Sequence, residues 1–187
     1  VNIDVVDVDP NSIEILKSLV SRLTVPDNIH INYIVADFLL HEFDKTYDIV
    51  VGNPPYMKIT KDKKLLAAYK RNVYNKDTNN IFSFFIEKAM KLGRVVSFIV
   101  PKSLINAPEF NLTREVMKAK RIERIIDFGE KGFKGVKIET ISFIIDTNKK
   151  PKDTIVESYI TESVKVHQQS YITDGTYPYW LIYRNEE

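Results

Sequence analysis

Residues 47–60 read YDIVVGNPPYMKIT, an apolar strand-forming run that passes through Gly52 into Asn53-Pro54-Pro55-Tyr56. Proline fixes its own φ and keeps the residue before it out of the helical region, so the two prolines make a stiff, extended loop. Pro54 has no N–H to donate but keeps its carbonyl. The Asn53 side-chain oxygen and that carbonyl can point the same way, and two acceptors side by side fit an –NH₂ group. Tyr56, just beyond, can stack on the ring that bears it. The lone pair of an adenine amino nitrogen is delocalised into its ring. Hydrogen bonds to both amino protons favour a pyramidal nitrogen whose lone pair is available for attack. The loop thus reads as a grip on an amino-purine or amino-pyrimidine that makes its nitrogen a better nucleophile.

Two carboxylates end other apolar runs. In VNIDVVDVDP, Asp7 closes the first strand, where a carboxylate can accept both hydroxyls of a ribose. Asp9 has a sufficient task as the N-cap of a helix whose first residue is Pro10. In YIVADFLL, Asp37 can accept from an exocyclic amine and Phe38 can lie on a purine face. Read alone, each acid can equally cap and solvate its turn; two at successive strand ends favour adenosine. Lys58, Lys61, Lys63 and Lys64 follow Tyr56 and head a basic run that continues through Lys70, Arg71 and Lys76. A solvated face is the ordinary reading of such a run. Beside a candidate active site, it gains weight as a phosphate-contacting surface.

Composition bounds the rest. The chain has 187 residues, 44% hydrophobic and 28% charged, which suits one globular core. No apolar run approaches the ~20 residues of a membrane span, and no secretory leader is visible, so a cytoplasmic protein with no membrane partner is expected. The absence of cysteine excludes a disulfide framework, a thiolate nucleophile and a cysteine zinc site. His30, His41 and His167 are scattered without metal-ligand spacing, so no metal is expected. A net charge of +2 does not by itself announce a nucleic-acid binder. The chain opens without Met, inside a strand-like run, and is expected to be a piece of a longer protein.

The elements that must hold these residues alternate. Strands are predicted at 1–6, 29–36, 47–52, 94–100, 121–128 and 136–146, with another around 155–160. A helix from Pro10 should put Ile13, Leu16, Leu19, Val20 and Leu23 on one face. A second, over 80–92, offers Phe82, Phe85, Ile86 and Met90 for burial, and a third spans about 109–119. Residues 62–76 are a helix or a loop. This alternation predicts a mostly parallel sheet covered on both faces, with its last two strands antiparallel across Gly129, Gly132 and Gly135. Such sheets bind ligands at the carboxyl ends of their strands, where Asp7, Asp37 and Asn53 fall.

In order and spacing, VDVDP, ADFL, NPPY and SFIVPKSLINA resemble the catalytic domain of the adenine-N6 DNA methyltransferases of restriction–modification systems, over about residues 3–146. The resemblance implies an α/β fold: a three-layer, mostly parallel Rossmann-like sheet with an antiparallel terminal strand, incomplete at its N-terminus. It implies a partial S-adenosylmethionine-dependent catalytic domain over 1–148, then an extension or the start of a linker to a target-recognition region over 149–187. Asp7 would lie on the cofactor's ribose and Val8 against its adenine, with Asp37 at the amino group and Phe38 on the ring. Residues 53–56 would be the catalytic loop, and Phe133, in a segment like the family's late hairpin, would pack on the extruded base. The partner implied is double-stranded DNA, whose target adenine must be flipped out at a cost of about a few kcal/mol. Stacking on Tyr56 and Phe133, roughly 1–3 kcal/mol per base, offsets it. No metal or general base is required, because a sulfonium methyl donor is a good electrophile and positioning does most of the work.

The sequence also departs from that family. Its Gly-rich turn after the first strand is absent, and the strand that precedes the turn lies in the middle of the family's sheet. Without it, two hydrogen-bonding edges should be exposed. The rest of the parent protein or another chain supplies the strand, the sheet closes over the gap, or the fragment dimerises. The recognition region is missing too, so the chain alone is expected to be weakly active or inactive. Two other readings stay open: a methyltransferase for ribosomal RNA or a protein glutamine, which share the tetrapeptide, and a non-catalytic DNA-binding subunit that retains the loop. SFIVPKSLI favours the DNA group, and Asn as first loop residue favours adenine over cytosine-N4.

Overall fold

The computed structural model describes residues 1–132, 137–158 and 164–182, and the chain divides into two compact units, Val1–Phe43 and Asp44–Glu187. The first is a single βαβ crossover. Strand β1 (Asn2–Asp7) and strand β2 (His30–Val35) pair in parallel, Asn2 opposite His30 and Asp7 opposite Val35. Helix α1 (Pro10–Val20) joins them. It starts where the sequence says it should: the Asp9 carboxylate accepts from the Asn11 amide at 3.0 Å and the Ser12 hydroxyl at 2.9 Å, with Pro10 in the first turn. Of the apolar face expected on α1, only Ile13 is buried, whereas Leu19 and Leu23 are 53% and 66% exposed. The helix stops at Val20, so Leu23 falls outside it. Two strands also offer too little surface to cover a full helical stripe.

The second unit holds strand β3 (Tyr47–Gly52), helices α2 (Lys63–Lys70) and α3 (Ile81–Leu92), and strand β4 (Gly93–Pro101). Two short 3₁₀ turns, Lys102–Ile105 and Pro108–Phe110, lead into helix α4 (Asn111–Lys118). Strands β5 (Arg121–Gly129), β6 (Thr140–Asp146), β7 (Asp153–Ser158) and β8 (Val164–His167) follow, then one helical turn, α5 (Gln168–Tyr171). The six-stranded sheet runs β3-β4-β6-β5-β7-β8. Pairs β3–β4 and β5–β7 are parallel, while β4–β6, β5–β6 and β7–β8 are antiparallel. The α/β class and the late antiparallel pair are as expected. The tail gives two strands where one was predicted.

Alternation sets the core. Val96, Phe98 and Val100 of β4 and Ile141, Phe143 and Ile145 of β6 are fully buried, with the Phe98 and Phe143 rings 6.3 Å apart. On α3 the structure buries Ile81, Phe82, Ser83, Phe84, Ile86, Glu87 and Ala89, leaving Phe85 and Met90 partly exposed. The predicted face was too narrow because α3 also meets polar partners. Glu87 accepts from the amides of Tyr74 (2.5 Å) and Asn75 (2.9 Å), and Ser83 bonds Thr113 at 2.6 Å. Buried polar groups with partners cost little, and periodicity cannot foresee the partners.

Strands β1 and β3 each have a single paired neighbour among the described residues. On β3, Ile49 and Val51 share a face and are 61% and 70% exposed, whereas Val50 points the other way. A Cβ on Gly93 would stand 2.7 Å from the Val50 side chain, which is why β4 begins on a glycine.

Candidate functional site

In the first unit, the carboxyl ends of β1 and β2 lie side by side, joined by the Ala36 amide donating to the Asp7 carbonyl at 3.0 Å. Each predicted acid sits in a turn that it stabilises itself: Asp7 accepts from the Asp9 amide and Asp37 from the Leu39 amide, both at 2.8 Å. Asp9 is spent on its cap, and the hydrogen bond from the Asn11 amide, with that from Ser12, holds its carboxyl below the usual range. Val8 is 68% exposed, an apolar side chain left open beside Asp7. The Phe38 ring packs 5.6 Å from Phe43, at 54°. The structure therefore brings Asp7, Val8, Asp37 and Phe38 to one end of one strand pair.

The second unit carries the loop. Gly52 is paired with Phe98 of β4, whose ring leaves only 3.2 Å for a Cβ there. Beyond it Asn53 is exposed, Pro54 buried, Pro55 exposed and Tyr56 half-buried. Burial of Pro54 seats the loop on the core while the Asn53 amide stays accessible. The Tyr56 hydroxyl donates to the Ile99 carbonyl at 2.9 Å, and its ring stands nearly perpendicular to Phe82 at 6.4 Å. Burial pushes the phenol up to about 12, so Tyr56 is neutral at any working pH and is no proton acceptor. The exit of the loop is pinned by the Ile81 amide donating to the Met57 carbonyl and the Ile59 amide to the Asn79 carbonyl, both at 3.0 Å.

The four predicted phosphate-contacting lysines divide. Lys61, Lys63 and Lys64 are exposed around the start of α2, where Asp62 caps the helix through the Leu65 amide at 2.8 Å. Lys58 is engaged: its ammonium pairs with Glu109 at 2.8 Å. Phe133 lies outside the described residues. Sequence reasoning missed Glu109, which also accepts from Thr78 at 2.7 Å, and the Lys102–Asp127 pair at 2.8 Å, with Asp127 buried. Both join residues far apart in sequence, and no local spacing marks them.

Anchoring through Ile99 makes a graded prediction for Tyr56. Tyr56→Phe keeps the ring and loses one hydrogen bond, so it should cost about 1 kcal/mol of stability. Tyr56→Ala also removes a half-buried ring that packs on Phe82 and should cost about 2–3 kcal/mol. Denaturant unfolding of the two variants separates the terms; equal losses would show that the ring contributes nothing beyond its hydroxyl.

Comparison with known proteins fits this geometry. The profile of the family described as Eco57I restriction-modification methylase matches residues 1–133, more than half of the chain. The chain belongs to this family. A relative, the type II methyltransferase M.TthHB8I of Thermus thermophilus, is 29% identical over 120 residues, covering 58% of this chain and 28% of that protein. M.AccI of Acinetobacter calcoaceticus is 25% identical over 166 residues, covering 83% and 29%. A solved Listeria monocytogenes protein, described as a class I S-adenosylmethionine-dependent methyltransferase, superposes with a TM-score of 0.64 at 20% identity, covering 84% of this chain and 49% of that one. The chain thus spans less than a third of the length of these curated relatives.

For a restriction-modification methylase of class I fold, the implied cofactor is S-adenosylmethionine. The donor set of the first unit of this Eco57I-family chain suits its adenosine half: two acids at adjoining strand ends, an exposed Val8 and the Phe38 ring. Its methionine half has no such counterpart, because no α-helix among the described residues starts from a glycine turn.

Proposed function

We propose that the chain is the catalytic part of a site-specific DNA methyltransferase that moves a methyl group from S-adenosylmethionine to the N6 amino group of a flipped-out adenine. The observation that carries this reading is the loop itself: Asn53 exposed at the end of β3, Pro54 buried beneath it, and Tyr56 fixed to the Ile99 carbonyl. When bound, S-adenosylmethionine supplies a methyl group on a sulfonium, an electrophile that needs no metal. The side-chain oxygen of Asn53 and the carbonyl of Pro54 accept the two amino protons and favour the pyramidal, nucleophilic nitrogen. Tyr56, with Phe133, stacks on the extruded base and offsets its unstacking. Asp7 and Asp37 accept from the ribose and amino group of the cofactor, with Val8 and Phe38 against its adenine. The amino nitrogen gains the methyl carbon as the carbon–sulfur bond breaks, its electron pair returning to sulfur to leave a neutral thioether, and the nitrogen then loses a proton to solvent.

Lys61, Lys63 and Lys64 supply the phosphate contacts, which makes binding of double-stranded DNA salt-dependent. The type II methyltransferase relatives support the DNA reading over ribosomal RNA and protein glutamine. On this account the chain by itself is weakly active or inactive, and the free β1 and β3 edges are completed by the rest of its parent protein or by another chain. The test is to incubate the protein as its gene encodes it with labelled S-adenosylmethionine and DNA, RNA or protein, then digest to monomers. Label in N6-methyladenine from DNA is expected. Label in RNA or glutamine overturns the substrate assignment, and none anywhere overturns the catalytic one.

A further inference from the structure

We infer that Glu109 is a positioning residue that clamps the exit of the 53–56 loop, through Lys58 on one side and Thr78 and Asn80 on the other; this rests on the proposed role of that loop. Lys58 and Asn80 are bridge partners in a short antiparallel contact. Both of their side chains end on the Glu109 carboxylate: Lys58 at 2.8 Å on one oxygen, Asn80 at 3.4 Å on the other, which also accepts from Thr78 at 2.7 Å. A single anion thus crosses the contact that fixes residues 57–59 against 79–81. Two backbone hydrogen bonds, from Ile59 to Asn79 and from Ile81 to Met57, span the same contact.

Glu109 is itself held. Its carbonyl accepts from the buried Asn75 amide group at 2.9 Å, and Asn75 bonds Thr113 of α4 at 2.8 Å. Burial pushes its carboxyl up, but the hydrogen bonds from Lys58, Thr78 and Asn80 and the charge of Lys58 outweigh that and leave it below its usual range. It is therefore an anion at neutral pH. The next residue, Phe110, lies 4.8 Å from Phe82, the ring that meets Tyr56. One 3₁₀ turn thus reaches the loop twice, through Phe110 and Phe82 to Tyr56 and through Glu109 to Lys58. Glu109 donates nothing to the reaction. It sets where the Tyr56 ring and the Pro54 carbonyl stand.

The experiment uses the protein as its gene encodes it, with Glu109→Gln, Glu109→Asp, Lys58→Met and the Lys58→Met/Glu109→Gln double variant. Amide exchange at Ile59 and Ile81 is followed by mass spectrometry. Methyl transfer is measured on genomic DNA from a methylation-deficient host. Glu109→Gln loses an anion that takes three charge-assisted bonds, so both amides should exchange about tenfold faster and kcat should fall about tenfold. KM for S-adenosylmethionine should stay within about twofold, because a positioning loss is a kcat loss. Glu109→Asp should recover part of kcat, and the double variant should be no slower than Glu109→Gln. Unchanged exchange at Ile59 and Ile81 in Glu109→Gln overturns the inference, as does a rise in KM with kcat intact. A wild-type protein inactive on DNA defeats the functional reading instead, while the exchange data still decide the clamp.

Discussion

Asn53→Ala is expected to lower the methyl-transfer rate at saturating cofactor and DNA by about 10²–10³-fold, the usual loss when one preorganised polar partner of a reacting group is removed. The Asn53 side chain is exposed, so its truncation should change stability by no more than about 0.5 kcal/mol. The residues proposed to hold the cofactor, Asp7, Val8, Asp37 and Phe38, lie on the first unit, so the dissociation constant for S-adenosylmethionine should stay within about twofold. Calorimetric titration and single-turnover kinetics measure the two quantities on one preparation. A rate within threefold of wild type would remove Asn53 from the chemistry, and with it the reading of the loop as a grip on an amine.

The second large effect concerns Arg114. Its guanidinium is buried and donates to the carbonyls of Leu104 (2.8 Å), Ala107 (2.9 Å) and Pro178 (2.8 Å) and to the Asn111 side chain. Burial pushes its pKa down, yet an arginine stays charged at any working pH. One rigid fork therefore ties the turn after β4 to the C-terminal segment. The amide of Trp180 adds a second tie by donating to the Ile105 carbonyl at 2.8 Å. Arg114→Met leaves several buried acceptors without donors and should cost about 3–5 kcal/mol. That predicts a fall of roughly 10 °C in Tm. Trp180 is the only tryptophan of the chain and is 6% exposed, so its emission should shift to the red as the segment releases. Arg114→Lys keeps the charge but not the fork and should fall between. A Tm within 2 °C of wild type in Arg114→Met would show that the fork holds nothing together.

What could be read in the sequence was what local rules control. Proline and aspartate at Asp9-Pro10 set the start of α1, and apolar runs of strand length set β3, β4 and the β5–β6 pair. The loop after β3 was legible because two adjacent prolines make it stiff. What could not be read depends on partners distant in the chain. Ser83 and Glu87 fall outside the apolar face read for α3, and their partners in the 72–80 segment and α4 make them interior. Lys58 looked like one more surface cation until Glu109, 51 residues on, turned out to be its partner. The fate of Leu19 follows from how little surface two strands give a helix, which is a property of the assembled unit and of no single stretch.

If residues 53–56 act on the amino nitrogen of adenine in DNA, as proposed, the modified nucleosides of a host cell should show it. The gene, and its Asn53→Ala version, would be expressed in a strain lacking DNA methyltransferases, and the DNA digested and analysed by mass spectrometry. N6-methyladenine is expected with the wild-type gene and background levels with Asn53→Ala. N4-methylcytosine in its place, or N6-methyladenine undiminished in the variant, would contradict it.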